Sequence, residues 1–412
     1  MKKTLISLVL VSLLLVALLS LGSCGAQSST GKSVTLYVYN WGEYISDGSE
    51  GSLNVNQAFE DYCREELGLD VTVNYSTYSS NEDLYAKLSG GAVSYDVIIP
   101  SDYMIARLAY EGLLREINPA ETIENYQYID PSFRGLYYDP EETYSVPYTF
   151  GTVGVIYNTD MIPEDEEDLG KWSLLWDEEY AGNILQFNNP RDAFGTAQFA
   201  LGYSINSEDP DEWQEALALL IEQKSVVQGY VMDEVFNKMK GGSAAVAPYY
   251  AGDFFTMYAD NDRLSFYSPE GGSNVFVDAM CIPTSSENYE LALEYINFML
   301  TEEIAIANAE YICYASPNTL VYENEEYIAY MQEECHPDAI SILYDFDMEE
   351  MEFYHDLPTE TRNLMNSLWE ELKIESNIGI SVYIICAAIL AVVLGLGIFN
   401  FVRKRIRASY YD

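Results

Sequence analysis

Apolar and polar positions alternate with two different periods along residues 34–111. In the segment VTLYVYNW, Val34, Leu36 and Val38 occupy every second position, which is the period of a β-strand. Farther along, apolar residues recur at the spacing of a helical turn, and the two patterns take turns. The predicted strands are Val34–Tyr39, Val71–Tyr75 and Asp96–Ile99, and the predicted helices are Asn54–Leu67, Glu82–Leu88 and Met104–Glu111. This alternation predicts an α/β fold in which helices cover both faces of a mostly parallel sheet.

The pattern changes at Tyr144, where the segment YSVPYTFGTVGVIYN begins. It contains two extended runs with no helix between them, Ser145–Tyr148 and Val153–Tyr157, so we expect the chain to cross here into a second lobe. Strands and helices follow, and the apolar run Val275–Ile282 predicts a strand that returns to the first lobe. The remaining predicted helices are Glu287–Leu300, Glu302–Ala309 and Pro358–Lys373. Two α/β lobes joined by two crossings would form a clam with a cleft between them.

The N-terminus has the pattern of an export signal. Two lysines precede the apolar run Leu5–Leu21, and the segment LGSC ends at Cys24. This segment resembles the lipobox of bacterial lipoproteins, in which the cysteine becomes the acylated first residue after cleavage. We therefore predict a lipoprotein signal peptide over residues 1–23, lipidation of Cys24 and a flexible tether over residues 24–33.

The other end of the chain has the pattern of a membrane anchor. The segment 378–402 contains no charged residue, and a helix of that length can cross a hydrocarbon layer of about 30 Å. Basic residues follow from Arg403 to Arg407, which predicts a cytoplasmic tail over residues 403–412. We therefore expect a transmembrane helix at the C-terminus. The ectodomain would lie on the extracellular or periplasmic face of the cell membrane, lipid-anchored at its other end.

The charge of the chain limits its partners. The 20 basic and 66 acidic residues give a net charge of −46, and six of the basic residues lie in the two predicted anchors. Such a field repels nucleic acid and attracts cations. We therefore expect no nucleic-acid partner, and a cationic ligand fits the charge.

Cysteine and histidine are scarce in this sequence. Outside the predicted anchors the cysteines are Cys63, Cys281, Cys313 and Cys335. A disulfide can form outside the cytoplasm, but the spacing leaves the pairing open. Because the chain has only two histidines, we expect no zinc site, no other metal site and no cofactor.

Aromatic rings and carboxylates follow the predicted strands. Trp41, Glu43 and Tyr44 come just after the first strand, and Tyr103 comes after the third. In open sheets of this kind, ligands bind beyond the carboxyl ends of the strands. Asp278 is unusual because it lies within the apolar strand VFVDAMCI, where a carboxylate is expected to be paired or to face a cleft.

Several segments, in a consistent order, resemble the spermidine/putrescine-binding proteins of bacterial polyamine ABC transporters. They are YNWGEYI, YSTYSSNEDLYAKL, YDVIIPSDYM, YSVPYTFGTVGVIYN, SLLWDEEYAG, VDAMCIP and YASPN. The resemblance covers nearly all of residues 34–373 and implies a two-lobed periplasmic-binding-protein-like (type II) fold. It implies lobe 1 over 34–148, lobe 2 over 149–274, and a return to lobe 1 over 275–373. The implied protein is no enzyme. It would capture a polyamine and deliver it to permease subunits that work with a cytoplasmic ATPase.

Carried over residue by residue, the resemblance also implies a ligand site made of rings and acids. Asn189 stands where the family has an aspartate, so one charge is lost, whereas Asp192 keeps its acid. Tyr249 matches a family tryptophan nearly as well as Tyr250 does, and Tyr354 is a weak match for a glutamine. The implied ligand-binding residues are Trp41, Glu43, Tyr44, Ser101, Tyr103, Asp192, Tyr250, Phe276, Asp278 and Tyr314.

The chemistry of a polyamine agrees with this composition. Each desolvated ammonium group needs a carboxylate, and the methylenes between the amines suit aromatic faces. A cation over a ring contributes roughly 0.5–2 kcal/mol.

Three other functions remain open from the sequence. A two-lobed binder can take another cationic ligand, such as ferric ion or thiamine, and the pair Tyr249-Tyr250 is compatible with ferric ion. A chain with two anchors could also act as a membrane-anchored ligand sensor. An enzyme is not favoured, because the sequence contains no GxSxG, HExxH or GxxxxGK[ST] motif.

Overall fold

The computed structural model describes residues 33–91, 93–347 and 350–374. The predicted signal peptide, Cys24, the segment 378–402 and the tail 403–412 lie outside the described residues. Within the described ranges, no helix is both long and apolar enough to cross a membrane.

The described chain alternates strands and helices, as the apolar pattern predicts. The strands are β1 (Val34–Trp41), β2 (Val71–Tyr78), β3 (Val97–Ile98), β4 (Ser145–Asn158), β5 (Ile184–Phe187), β6 (Val227–Val231), β7 (Val246–Tyr250), β8 (Leu264–Tyr267), β9 (Ser273–Cys281) and β10 (Met351–Glu352). The helices are α1 (Val55–Glu65), α2 (Asn81–Ser89), α3 (Asp102–Tyr110), α4 (Pro119–Thr122), α5 (Pro190–Leu201), α6 (Pro210–Gln223), α7 (Glu234–Lys240), α8 (Ala251–Tyr258), α9 (Tyr289–Met299), α10 (Glu302–Ile312), α11 (Thr319–Tyr322), α12 (Glu325–Tyr330), α13 (Ala339–Tyr344) and α14 (Thr359–Ile374).

The strands form two lobes that share the long strand β4. Their order is β2-β1-β3-β9-β4-β7-β5-β6, with β8 on β4 and β10 on β9. β1 runs parallel to both β2 and β3, whereas β4 is antiparallel to β9 along its first half. The second half of β4 pairs with β7 and β8. β4 therefore links the first lobe, built on β1, β2 and β3, to the second lobe, built on β5, β6 and β7.

One local prediction was wrong. The two extended runs on either side of Phe150-Gly151 are a single strand, β4, with a register shift between Pro147 and Thr149. Glycine is needed here because neighbouring rings cover the strand. A Cβ at Gly151 would lie 2.9 Å from the Phe276 ring, and a Cβ at Gly154 would overlap the ring of Phe266.

Side-chain caps fix where the site helices begin. The Ser80 hydroxyl accepts a hydrogen bond from the backbone N–H of Asp83 at 3.1 Å and caps α2. The Asn189 side chain accepts a hydrogen bond from the N–H of Asp192 at 2.9 Å and caps α5. These caps satisfy backbone donors that a helix leaves free at its start. They also hold the first turns of α2 and α5 at the cleft.

Among the described residues, one cluster of buried apolar side chains extends through both lobes along β4 and β9, and two further clusters lie to its sides. One of these two joins β1 to the helices of the first lobe, with Leu36, Phe59 and Ile296 fully buried. The other packs α14 against the second lobe, and Leu368 and Trp213 both belong to it. The predicted C-terminal helix is therefore confirmed, and it is part of the fold up to residue 374.

Candidate ligand-binding cleft

The lobes enclose a cleft with an empty volume of about 880 Å³, part of which opens to solvent. It lies at the carboxyl end of β1 and at the first turns of α3, α5 and α8, where parallel sheets usually bind ligands. All the predicted site residues except Glu43 line it: Trp41, Tyr44, Ser101, Tyr103, Asp192, Tyr250, Phe276, Asp278 and Tyr314.

Glu43 lies outside this lining. Its backbone has a φ of 52°, in the left-handed region, and its side chain is exposed. The chain turns at Gly42-Glu43 directly after β1, so Trp41 and Tyr44 line the cleft without the acid between them. A contact between Glu43 and a ligand stays a prediction.

Asp278 lies in the middle of the cleft wall on β9 and is only 4% exposed. Its Oδ2 accepts a hydrogen bond from the Tyr44 hydroxyl at 2.6 Å. That hydroxyl is also 2.6 Å from Oγ1 of Thr149, which donates when Tyr44 donates to Asp278. Oδ1 of Asp278 is buried and receives no well-aligned hydrogen bond from the residues that the structure describes, although the Ser101 hydroxyl lies close enough to lower the pKa of the carboxylate. Burial raises the pKa of Asp278 to about 6, because a charge is costly in a poorly solvated site.

Asp192 lies on the opposite wall, in the first turn of α5. Its Oδ2 accepts hydrogen bonds from Asn189 Nδ2 at 2.5 Å and from the Tyr250 hydroxyl at 2.7 Å. Burial raises the pKa of Asp192, and these two hydrogen bonds oppose the rise. Asn189, the position where the resemblance expected an acid, therefore acts as a donor to the remaining acid.

The cleft contains four further acids that the sequence did not single out: Glu82, Asp102, Asp233 and Asp253. Asp253 lies in the first turn of α8, and burial raises its pKa to about 7. Glu82 accepts a hydrogen bond from the Tyr103 hydroxyl at 3.1 Å, and burial raises its pKa. Asp233 lies across the cleft from β1, since its Oδ2 would be 3.6 Å from a Cβ at Gly42.

Asp102 differs from the other acids because it braces the wall. Its Oδ1 accepts from the N–H of Tyr103 at 2.6 Å and its Oδ2 accepts from the N–H of Val277 at 3.2 Å. Burial raises the pKa of Asp102 to about 8. These bonds tie the start of α3 to β9 one residue from Asp278.

Among the described residues that line the cleft, Arg191 is the only basic one. Its guanidinium stacks on the Tyr354 ring at 4.4 Å and donates to Asn206 Oδ1 at 2.9 Å and to the His355 carbonyl at 3.0 Å. Six acidic side chains line the same cleft, so its lining has more acidic than basic groups and favours a cation.

Aromatic rings form a continuous wall between the acids. The edge of Tyr44 meets Tyr314 at 4.9 Å between ring centres, and Tyr314 is 6.2 Å from Phe276. Phe276 in turn meets Tyr250 at 5.5 Å. Gly252 makes this possible, because a Cβ there would overlap the ring of Tyr314. Such a wall suits methylene groups and cationic nitrogens alike.

A position rule could have found some of the missed residues. Asp253 follows β7 in the segment YYAGDFF, just as Glu43 follows β1, and Glu82 lies in the quoted segment YSTYSSNEDLYAKL. No group of three or more His, Cys, Asp or Glu side chains within the described ranges is arranged to hold a metal ion.

Comparison with known proteins identifies the family of this chain. Residues 57–333 match the family described as bacterial extracellular solute-binding protein. The chain is 33% identical over 303 residues to the spermidine/putrescine-binding periplasmic protein of Salmonella typhimurium, covering 73% of this chain and 82% of that protein. It is 29% identical over 364 residues to the putrescine/cadaverine-binding protein of Pseudomonas aeruginosa, covering 85% of this chain and 96% of that one.

A solved structure shows the same fold. The putative spermidine/putrescine ABC transporter from Listeria monocytogenes superposes with a TM-score of 0.70 at 32% identity, covering 82% of this chain and 98% of that chain. The predicted two-lobed α/β fold is thereby confirmed, and so is the expectation of a solute-binding protein instead of an enzyme. This chain belongs to the bacterial extracellular solute-binding proteins.

Proposed function

We propose that the protein captures a polyamine, spermidine or putrescine, outside the membrane and delivers it to the permease of an ABC importer. The observation that carries the proposal is the buried Oδ1 of Asp278, which faces a ring-lined cleft and has no well-aligned hydrogen-bond donor among the described residues, with the Ser101 hydroxyl as its polar neighbour. A buried carboxylate oxygen in that state is stabilised by a donor that the ligand brings, and an ammonium group is such a donor.

A polyamine also needs a carboxylate for its second ammonium group, and the opposite wall of the cleft carries one. Asp192 lies across the cleft on α5, and the rings of Phe276 and Tyr250 lie beside it. One ammonium would bind at Asp278, the methylene chain would lie along the rings, and another ammonium would bind near Asp192. The names of the two relatives described above state that one binds spermidine and putrescine and the other binds putrescine and cadaverine, which are all polyamines.

Delivery follows from the two-lobed architecture. Because residues from both lobes touch the same ligand, binding favours the closed arrangement of the lobes, and a permease can distinguish that surface from the open one. Each lobe would then be a nearly rigid body that moves about β4 and β9. The proposed lobes are residues 34–148 with 275–373, and residues 149–274, except that α14 packs on the second lobe and would move with it.

Membrane attachment belongs to the same proposal. Lipidation of Cys24 and a helix over residues 378–402 would hold the binding domain beside its permease on the outer face. The test is fractionation of cells that express wild type, Cys24→Ser, a variant truncated after residue 377, or both changes together. We expect the binding domain to leave the membrane fraction when both anchors are removed.

Binding is tested by calorimetric titration of the purified full-length protein with putrescine, spermidine and spermine. Thiamine and ferric citrate serve as controls for the other cationic ligands. Saturable one-to-one binding of a polyamine, micromolar or tighter and without turnover, is expected. Heat with thiamine or iron and none with any polyamine would overturn the proposal.

A further inference from the structure

Two of the cysteines lie side by side although 22 positions separate them in the sequence. The Sγ atoms of Cys313 and Cys335 are 3.8 Å apart, and both residues carry free thiols in this structure. Cys313 is buried and ends α10 with a φ of 56°. Cys335 is half-buried and ends the π-helical turn Met331–Cys335.

We propose that Cys313 and Cys335 form an intramolecular disulfide in the exported protein, and that this bond holds the turn that presents Tyr314 to the cleft. The sulfurs need to approach by roughly 1.8 Å to reach the length of a disulfide. Proteins outside the cytoplasm meet oxidants that keep such bonds formed. The spacing of the cysteines in the sequence did not reveal this pair.

The reaction is an ordinary thiol–disulfide exchange. The thiolate of Cys335, the more exposed of the two, attacks a disulfide oxidant outside the cell and forms a mixed disulfide, while one thiol leaves. The Cys313 thiolate then attacks the Cys335 sulfur, the intramolecular bond forms and the second thiol leaves. Two electrons and two protons pass to the oxidant. The hydrogen bond from Cys313 lowers the pKa of Cys335, which favours it as the first nucleophile.

The Cys313–Cys335 pair lies next to residues that line or support the cleft. Tyr314 follows Cys313 directly, and the next residue, Ala315, accepts a hydrogen bond from the N–H of Phe150 on β4 at 3.0 Å. On the other side, His336 follows Cys335, and its ring packs on Tyr258 of α8 at 4.6 Å between ring centres. A bond between the two sulfurs would tie the Tyr314 turn to the helix that carries Asp253.

The direct test is a digest of the full-length protein, purified without reductant and unfolded in the presence of an excess of alkylating agent, followed by mass spectrometry. We expect a peptide pair linked through Cys313 and Cys335. Alkylation of both as free thiols, or links from either of them to Cys63 or Cys281, would overturn the proposal. This result does not depend on any ligand, so it stands or fails apart from the proposed function.

A second measurement separates the bond from general effects of reductant. Dithiothreitol should lower the Tm of the wild type by roughly 3–6 °C, since a closed loop of this length stabilises a fold by restricting its unfolded state. It should leave the Tm of the Cys313→Ser/Cys335→Ser double variant unchanged. If reductant lowers both Tm values equally, the bond does not hold the fold.

The effect on the cleft is measured by the Kd for spermidine before and after reduction, and this part rests on the proposed function. We expect the reduced wild type to bind several-fold more weakly, while the double variant is insensitive to reductant. An unchanged Kd after verified reduction would contradict the link to Tyr314 and leave only a stabilising bond.

Discussion

The two buried aspartates on opposite walls of the cleft differ in how many hydrogen-bond donors they already have. On Asp192, Oδ2 accepts hydrogen bonds from both Asn189 and Tyr250. On Asp278, Oδ2 has a donor in Tyr44, but Oδ1 has no well-aligned donor among the described residues and only the Ser101 hydroxyl near the carboxylate. The Asp192 carboxylate therefore has its hydrogen-bond donors before a ligand binds, whereas Oδ1 of Asp278 gains a well-aligned donor only from the ligand.

This difference follows from the elements that carry the two residues. Asp192 lies in a helical first turn, where the capping side chain of Asn189 also reaches its carboxylate. Asp278 lies within a buried strand that pairs with β4, and the donor that its carboxylate has is the side chain of Tyr44. An unsatisfied buried acceptor costs more than a satisfied one, and a ligand that relieves this cost gains affinity. We therefore expect Asp278 to dominate binding.

The largest predicted effect is that of Asp278→Asn. The amide keeps the shape of the side chain but removes the charge that pairs with an ammonium, so we expect the Kd for spermidine to rise roughly 100-fold or more. Calorimetry measures the change. The matched control is Asp262→Asn at an exposed acid, 78% accessible at its side chain, which should leave the Kd unchanged. Equal Kd values for wild type and Asp278→Asn would refute the proposed amine site.

The next effect is that of Asp192→Asn, for which we expect a rise in Kd of roughly tenfold. The effect is smaller because two donors already share the Asp192 carboxylate, so less of its charge is free for the ligand. Tyr250→Phe serves as the companion variant, since it removes one donor and leaves the acid. A larger rise in Kd for Asp192→Asn than for Asp278→Asn would contradict the expectation that Asp278 dominates binding.

The pH dependence sharpens the same comparison. Burial raises the pKa of Asp278 to about 6, and a polyamine binds the ionised carboxylate while its own amines stay protonated up to about pH 10. Below pH 6 the proton competes with the ligand, so affinity should fall about fivefold between pH 6 and pH 5 and level off above pH 8. Calorimetry from pH 5 to pH 8.5 measures this. The Asp278→Asn variant should lose the part of the dependence centred near pH 6 and keep a part centred near pH 7, where Asp253 titrates. A wild-type profile that is flat in this range would contradict the assignment.

The smallest effect is predicted for Glu43→Gln. Because the Glu43 side chain is exposed and lies outside the cleft lining, its charge is screened by water, and we expect the Kd to change by less than about twofold. Titration at low and at 0.15 M salt measures it. A loss as large as that of Asp192→Asn would show that the bound state brings Glu43 onto the ligand.

Much of this arrangement can be predicted from the sequence. Period-two alternation locates β1, and its end locates Trp41 and Tyr44 at the cleft. Asp278 stands out because a charged residue inside an apolar strand is costly to bury unless it is paired or faces a cleft. The resemblance supplies the residues of the second lobe, since Asp192 and Tyr250 lie far apart in the sequence and only the fold brings them together.

Other features depend on three-dimensional packing. Asp253 and Glu82 belong to a chain with 66 acidic residues, so their position after a strand or in a matching segment makes them candidates, and only the fold shows that they line the cleft. The continuity of β4 depends on rings from other strands that pack over its glycines, and a local pattern cannot show them. The same holds for Cys313 and Cys335, which become neighbours only after the chain between them has folded.

A crystal structure of the protein with spermidine tests most directly whether a ligand ammonium donates a hydrogen bond to Oδ1 of Asp278. We predict a ligand nitrogen about 2.7–2.9 Å from Oδ1 of Asp278, the distance of a charge-assisted hydrogen bond, with the methylene chain along Phe276 and Tyr314. A bound spermidine whose nitrogens all lie beyond hydrogen-bond distance of Asp278 would contradict the account.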